Sequence, residues 1–456
     1  MRPLTRLARG ALAPLALAGT TALAAPPADP LQSADTSRDA YQQIAWALVT
    51  EAQRAEILNG RGLVRQSWVI SPSLDPDIAG LGPTYNRPSC LSCHPRNGRG
   101  EPPATPDAPM HSMLVRLSVP GAGPHGEPQP EPVYGEQLNE FGIPGVPGEG
   151  EAFLEWDSHE LALADGTRVS LQRPTVHFRR LQHGSLAAQM MHSARVAPPI
   201  FGLGLLEAVP EATVLALAQA QRAGTDGVAG RPNRVWDIAR QAMVLGRFGL
   251  KANQPTVRQQ IAGALAGDMG ITSSLYPEPN CPPAQVACAA VHEAHPELSD
   301  AALDAMTRYH YVLAVPAPRH PDAPQVQRGR ALFEATGCAS CHTPSLRTGP
   351  FPAEPALAHR TIAPYTDLLV HDMGPGLADG RPDHLADGQS WRTPPLWGLG
   401  LLETVNGHSR LLHDGRARTV LEAILWHGGE AAKAQARVRQ LDATDRDALL
   451  AFLASL

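Results

Sequence analysis

Two Cys-x-x-Cys-His units, Cys90-Leu-Ser-Cys93-His94 and Cys338-Ala-Ser-Cys341-His342, constrain this chain more than anything else in it. Two residues between the thiols match the span between the vinyl groups of a porphyrin, and the adjacent histidine then lies under the iron. Each unit reads as the attachment site of one covalent heme c: Cys90, Cys93 and His94 for the first, Cys338, Cys341 and His342 for the second. With 6 cysteines and 18 histidines among 456 residues, chance is a poor source of two such units. A structural zinc site would need four ligands from paired knuckles, and a dithiol enzyme would not need histidine directly after both pairs.

Heme c is attached after export, and the N-terminus reads as an export signal. Arg2, Arg6 and Arg9 precede an Ala/Leu-rich stretch and a small-residue cleavage site at Ala22-Leu23-Ala24. Residues 1–24 are therefore expected to be a signal peptide and the protein periplasmic. The apolar stretch is short and broken by Pro14, which argues against a membrane anchor, and no later stretch is long enough to span a bilayer. In an oxidising compartment the two remaining cysteines, Cys281 and Cys288, read as a disulfide closing a small loop, with two free thiols as the alternative. A net charge of -6 and a pI near 6.3 give no reason to expect nucleic acid as a partner.

The chain repeats itself. Asn59-Gly-Arg-Gly-Leu63 precedes the first heme unit and Arg328-Gly-Arg-Ala-Leu-Phe333 the second. Farther on, Pro198-Pro-Ile-Phe-Gly-Leu-Gly-Leu-Leu-Glu-Ala-Val209 matches Pro394-Pro-Leu-Trp-Gly-Leu-Gly-Leu-Leu-Glu-Thr-Val405. Such similarity implies two related heme units. The expected fold is mainly α: two cytochrome c-like heme domains with long Pro/Gly-rich loops, which suit the 45 prolines, and a small β element. Residues 25–318 form the N-terminal domain with insertions and 319–456 the C-terminal one. Expected helices are 37–58, 209–222, 255–267, 299–313, 325–335, 417–427 and 443–455, the last capped by Thr444-Asp445. Residues 96–150 read as loop, and Leu114–Val119 with Thr167–Leu171 as a hairpin-like patch.

The stretch Trp391–Val405, followed by Leu412-His-Asp-Gly-Arg-Ala-Arg-Thr-Val-Leu-Glu-Ala-Ile-Leu-Trp-His427, resembles the C-terminal half of bacterial di-heme cytochrome c peroxidases. It also resembles the related di-heme enzymes that mature methylamine dehydrogenase. With Gly246–Pro255, Gly267–Ser273 and Tyr365–Gly374, nearly all of the mature chain is similar to one branch, the di-heme oxidoreductases, also labelled thiol oxidoreductases.

That resemblance implies roles. In the peroxidases a methionine ending the helix after His-Asp-Gly ligates the electron-transfer heme. The matching position is His427, so the second heme is expected to be bis-histidine, His342 proximal and His427 distal. His371 and Met373 are rivals, and a plain helix-end histidine is the alternative. The distal register of the first heme falls on Met110, beside His111 and Met113; either these ligate the iron or that heme is open. Peroxide cleavage needs an acid/base group. A glutamate serves in the family, and Glu207 is the position nominated, although its repeat partner Glu403 keeps a structural role open. The family's calcium site, a Ca2+ between heme domains, matches the Thr393 and Pro395 carbonyls, with Asp226–Asn233 a second oxygen-rich loop. Trp236, Trp397 and Trp426 are core aromatics or electronic bridges. The expected function is an exported, peroxidase-like di-heme oxidoreductase. A small cytochrome or cupredoxin would supply electrons to the second heme, and a small-molecule or protein substrate would react at the first. The alternatives are a non-catalytic di-heme electron carrier and a thiol oxidoreductase using Cys281 and Cys288.

Overall fold

The computed structural model describes residues 29–291 and 296–456, so the expected signal at 1–24 lies outside the described residues. The helices that organise the fold are α1 (Glu51–Arg65), α2 (Glu211–Ala223), α3 (Val257–Met269), α4 (Asp300–Tyr311), α5 (Pro324–Ala335), α6 (Val420–Leu425), α7 (Ala432–Gln440) and α8 (Ala443–Ser455). Their starts are written locally. Thr256, Ser299, Thr419 and Asp442 each accept a hydrogen bond from a first-turn backbone N–H, satisfying a donor the helix itself leaves over. The cap of α8 is thus Asp442 rather than Thr444. The expected 37–58 helix is displaced: residues 40–42 and 46–48 make single 3-10 turns, and α1 starts after a Thr50/Gln53 capping box.

Each half turns on one helix crossing. α1 meets α4 at Gly60, where a Cβ would stand 2.0 Å from the Ala305 carbonyl oxygen; α5 meets α8 at Gly329, 1.9 Å from that of Ala448. Only glycine allows backbones so close. One turn on, Val64 joins a core with Met306 and Tyr309, and Phe333 packs on Phe452 with ring centroids 5.4 Å apart. Fully burying each such side chain contributes about 1.5–3 kcal/mol. The repeated Pro-Pro segments meet between the halves: a Cβ on Gly202 would strike the Trp397 ring at 2.4 Å, and one on Gly398 the Phe201 ring at 2.6 Å. The largest apolar core draws on both sides of residue 318, from Tyr41, Ile57 and Phe201 to Leu357, Trp397 and Val405.

The expectation of a mainly α chain is overturned, for the protein is 32% helix and 20% strand, spread over many small sheets. The longer strands are β1 (Met113–Ala122), β2 (Glu151–Ala162), β3 (Arg168–Arg179) and β4 (Met191–Val196). β1 pairs antiparallel with β4, and β2 with β3 along their whole length. Residues 96–150 are therefore not all loop, and Leu114–Val119 and Thr167–Leu171 take other partners than each other. The reason lies in β2 itself. Glu155, Asp157, Ser158, His159 and Glu160 place polar groups on both faces, which erases the period-two signal of a half-buried strand. The β2–β3 tip reaches the C-terminal helices: Ala164 N–H donates to the Arg439 carbonyl at 3.0 Å, and Asp165 pairs with Arg446 at 2.8 Å. Beneath it Leu163 and Leu171 share a core with Leu377, Trp391, Leu425 and Trp426. Among the described residues no helix is long and apolar enough to cross a membrane.

Candidate functional site

The two motifs open onto one continuous cavity of about 560 Å³ between the halves. At the first, Ser89 caps the short turn Cys90–Cys93. His94 donates its Nδ1 proton to the Pro198 carbonyl at 2.6 Å, which leaves Nε2 for the cavity. At the second, His342 donates from Nδ1 to the Tyr365 carbonyl at 2.9 Å. His427, one residue beyond the C-cap of α6, donates from Nδ1 to the Ala423 carbonyl at 2.7 Å and also borders the cavity. Burial holds His94 and His427 below the usual imidazole range, and burial with the nearby His427 lowers His342 to about 4. All three are neutral imidazoles, the form that binds a metal. Cys90, Cys93, Cys338 and Cys341 are unpaired and line the cavity. Burial pushes the Cys90 and Cys93 thiols up to about 12.

The residues present fit a porphyrin. Besides thiols and free imidazole nitrogens, the cavity is lined by Arg99 and Arg381, whose buried Nε–H groups have no partner among the described residues. Buried donors of that kind call for an acceptor, and a porphyrin brings two carboxylates.

Other sequence candidates fall elsewhere. His371 lies between Asp367 and Glu430, at 2.9 and 2.7 Å, with both ring nitrogens engaged. Burial opposes its charge, but these carboxylates and Cys341 outweigh it and lift the pKa to about 12. Such an imidazolium has no lone pair for iron. Met373 borders the cavity. Met113 also lines it, whereas Met110 belongs to the core of the β insertion, and the carbonyls of Met110 and His111 accept from Arg87. Glu207 is not among the cavity-lining residues. Its carboxylate accepts from Val257 N–H at 2.7 Å and the Tyr311 hydroxyl at 3.0 Å, and burial raises its pKa. Glu403 is exposed, so the repeat does not extend to its environment. Cys281 and Cys288 are joined as a disulfide away from the cavity, their Cα atoms 5.5 Å apart. Of the oxygens named for calcium, the Thr393 carbonyl accepts from Thr366 Oγ1 at 2.6 Å and Arg392 Nη1 at 3.2 Å, and Asp226 is engaged by Val228 N–H and Ser340 Oγ. Trp397 borders the cavity; Trp236 stacks on His125 and Trp426 packs in the core under the β2–β3 hairpin.

Sequence reasoning missed His310 on α4, whose Nδ1 donates to the Met306 carbonyl at 2.7 Å while its ring borders the cavity. It also missed Asp268, Gln260 and Ala264 on α3, which line the cavity beside the first motif. A helical-wheel reading of α3 would have put these three on one face.

The family described as "Di-haem oxidoreductase, putative peroxidase" matches residues 31–456. No curated protein matches the chain in sequence. Among solved structures, a chain of Kuenenia stuttgartiensis hydrazine synthase pressurised with xenon is similar at 20% identity and a TM-score of 0.24, over 36% of this chain and 57% of that one. A likeness that small supports no conclusion about the fold.

Proposed function

Because the chain belongs to the di-haem oxidoreductase family, we propose that it is an exported, peroxidase-like enzyme whose two covalently attached hemes have different duties. Cys338, Cys341, His342 and His427 would hold the second heme, which would accept electrons from a small periplasmic cytochrome or cupredoxin. Cys90, Cys93 and His94 would hold the first, which would supply them to substrate. The observation that carries this reading is the pair His342 and His427, both neutral, both anchored through Nδ1, both bordering the cavity with Nε2 free. Two such imidazoles saturate an iron and favour a low potential. A saturated iron exchanges electrons but takes no substrate.

When bound, the first heme supplies electrons to a peroxide O–O bond. The chain's part is to move a proton from the inner to the outer oxygen. We assign that role to Asp268, on the cavity face of α3, whose pKa burial raises against the opposing pull of Arg116, 3.9 Å away. Glu207 is a positioning residue that fastens the start of α3. The thiol reading gains no support, since Cys288 is buried and neither disulfide sulfur lines the cavity.

Purified protein should carry two c hemes by pyridine hemochrome, one high spin and one low spin. It should consume hydrogen peroxide with a reduced donor, and Asp268→Asn should slow that turnover while cyanide still binds. A purely low-spin spectrum with no cyanide binding overturns the enzyme reading in favour of an electron carrier.

A further inference from the structure

The loop and helix beside the first heme duplicate those that deliver His427 to the second. Phe248 bridges to Gln254, and Leu411 to Ala417. Gly249 and Leu412 have φ of 77° and 70°, and Ala252 and Gly415 of 51° and 74°. Thr256 then caps α3 through Gln259 N–H, and Thr419 caps α6 through Glu422 N–H. Every pair is separated by 163 positions, as are Ile261 and Ile424, which both border the cavity. Positive φ is uncommon outside glycine. Leu412 and Ala252 each adopt it opposite a glycine of the other half, and this fixes the register without reference to side chains. Carried forward, it sets Ala264 where the second half has His427.

We propose that Ala264 is the specificity-determining residue of the first heme: by placing a methyl group where an imidazole closes the second, it leaves the iron's distal position to a small exogenous ligand of the peroxide class. This rests on the functional reading above. Polar groups suited to such a ligand stand beside it. Gln260, one turn earlier, has a buried Oε1 without a partner, and the Tyr276 hydroxyl lies 3.2 Å from where a Cβ of Gly263 would be. His310 is the other imidazole to weigh. It lies five residues past Ala305 on α4, and the equivalent step from Ala448 on α8 reaches Leu453, so the closed half uses no ligand from that position.

The test is Ala264→His in the heme-loaded protein, read by electron paramagnetic resonance and visible spectra with cyanide as probe. The first heme should become six-coordinate and low spin and cyanide binding should be lost, while hemochrome still counts two hemes. Ala264→Leu adds bulk without a ligand, so the heme should stay high spin and cyanide affinity fall roughly tenfold or more. Combining Ala264→His with His427→Ala should move the open site to the second heme. A loaded Ala264→His protein that keeps the wild-type high-spin signal and cyanide affinity overturns the proposal, as does unchanged cyanide affinity in Ala264→Leu. Two low-spin hemes and no cyanide binding in the wild type would instead sink the functional reading itself. A high-spin signal appearing then only in His310→Ala would give His310 the distal place.

Discussion

The two halves share a frame and part company on the distal wall. Both have a glycine at a helix crossing, a Cys-x-x-Cys-His motif after it, a loop with two left-handed residues and a threonine cap. Eight residues past that cap one half has His427 and the other Ala264. The second half also carries His371 clamped between Asp367 and Glu430. On the proposed reading, divergence of duty needs no divergence of fold: a shared frame would place both hemes, and single side chains would decide what each one admits.

The comparison breaks first at the motifs. Cys338→Ala with Cys341→Ala should remove the second heme, halving the hemochrome and stopping donor-driven turnover while the first heme still binds cyanide. If turnover survives, electrons do not enter through that half. His427→Ala should turn the second heme high spin and raise cyanide stoichiometry from one to two per chain; an unchanged spectrum removes His427 as a ligand. Gly60→Val and Gly329→Val should each cost about 3 kcal/mol by forcing a crossing apart, measured by chemical denaturation. Unequal costs would show that the two frames do not bear load alike. The smallest effect concerns His371. Its folded pKa is raised, from 6.5 to about 12, so its contribution is complete below pH 6.5 and lost as pH climbs toward 12. The stability gap between wild type and His371→Gln should shrink over that window. A gap that widens with pH would contradict a charged His371.

The di-haem family was legible because its Cys-x-x-Cys-His units are contiguous in sequence. α3, α4, α5 and α8 were legible because runs of helix-forming residues are local, although the cap of α8 lies earlier than expected. β2 and β3 were not, since polar residues on both faces carry no period and their pairing depends on the ladder. Arg99 and Arg381 were not legible because an unpartnered buried N–H is a property of the packed fold and leaves no mark in the sequence. Ala264 escaped for a different reason: an absent ligand has no signature, and an alanine in a helix resembles any other until repeated backbone angles supply its counterpart.

The β2–β3 hairpin has a consequence for how this protein is dissected. It is encoded in the first half, yet its tip is fastened by Arg439 and Arg446, close to the end of the chain. Cutting near residue 318 would therefore not release two modules. It would strip the cover from Trp426 and Leu425 in one fragment and bare Leu163 and Leu171 in the other. The first half thus completes its tertiary contacts only once Arg439 and Arg446 are in place.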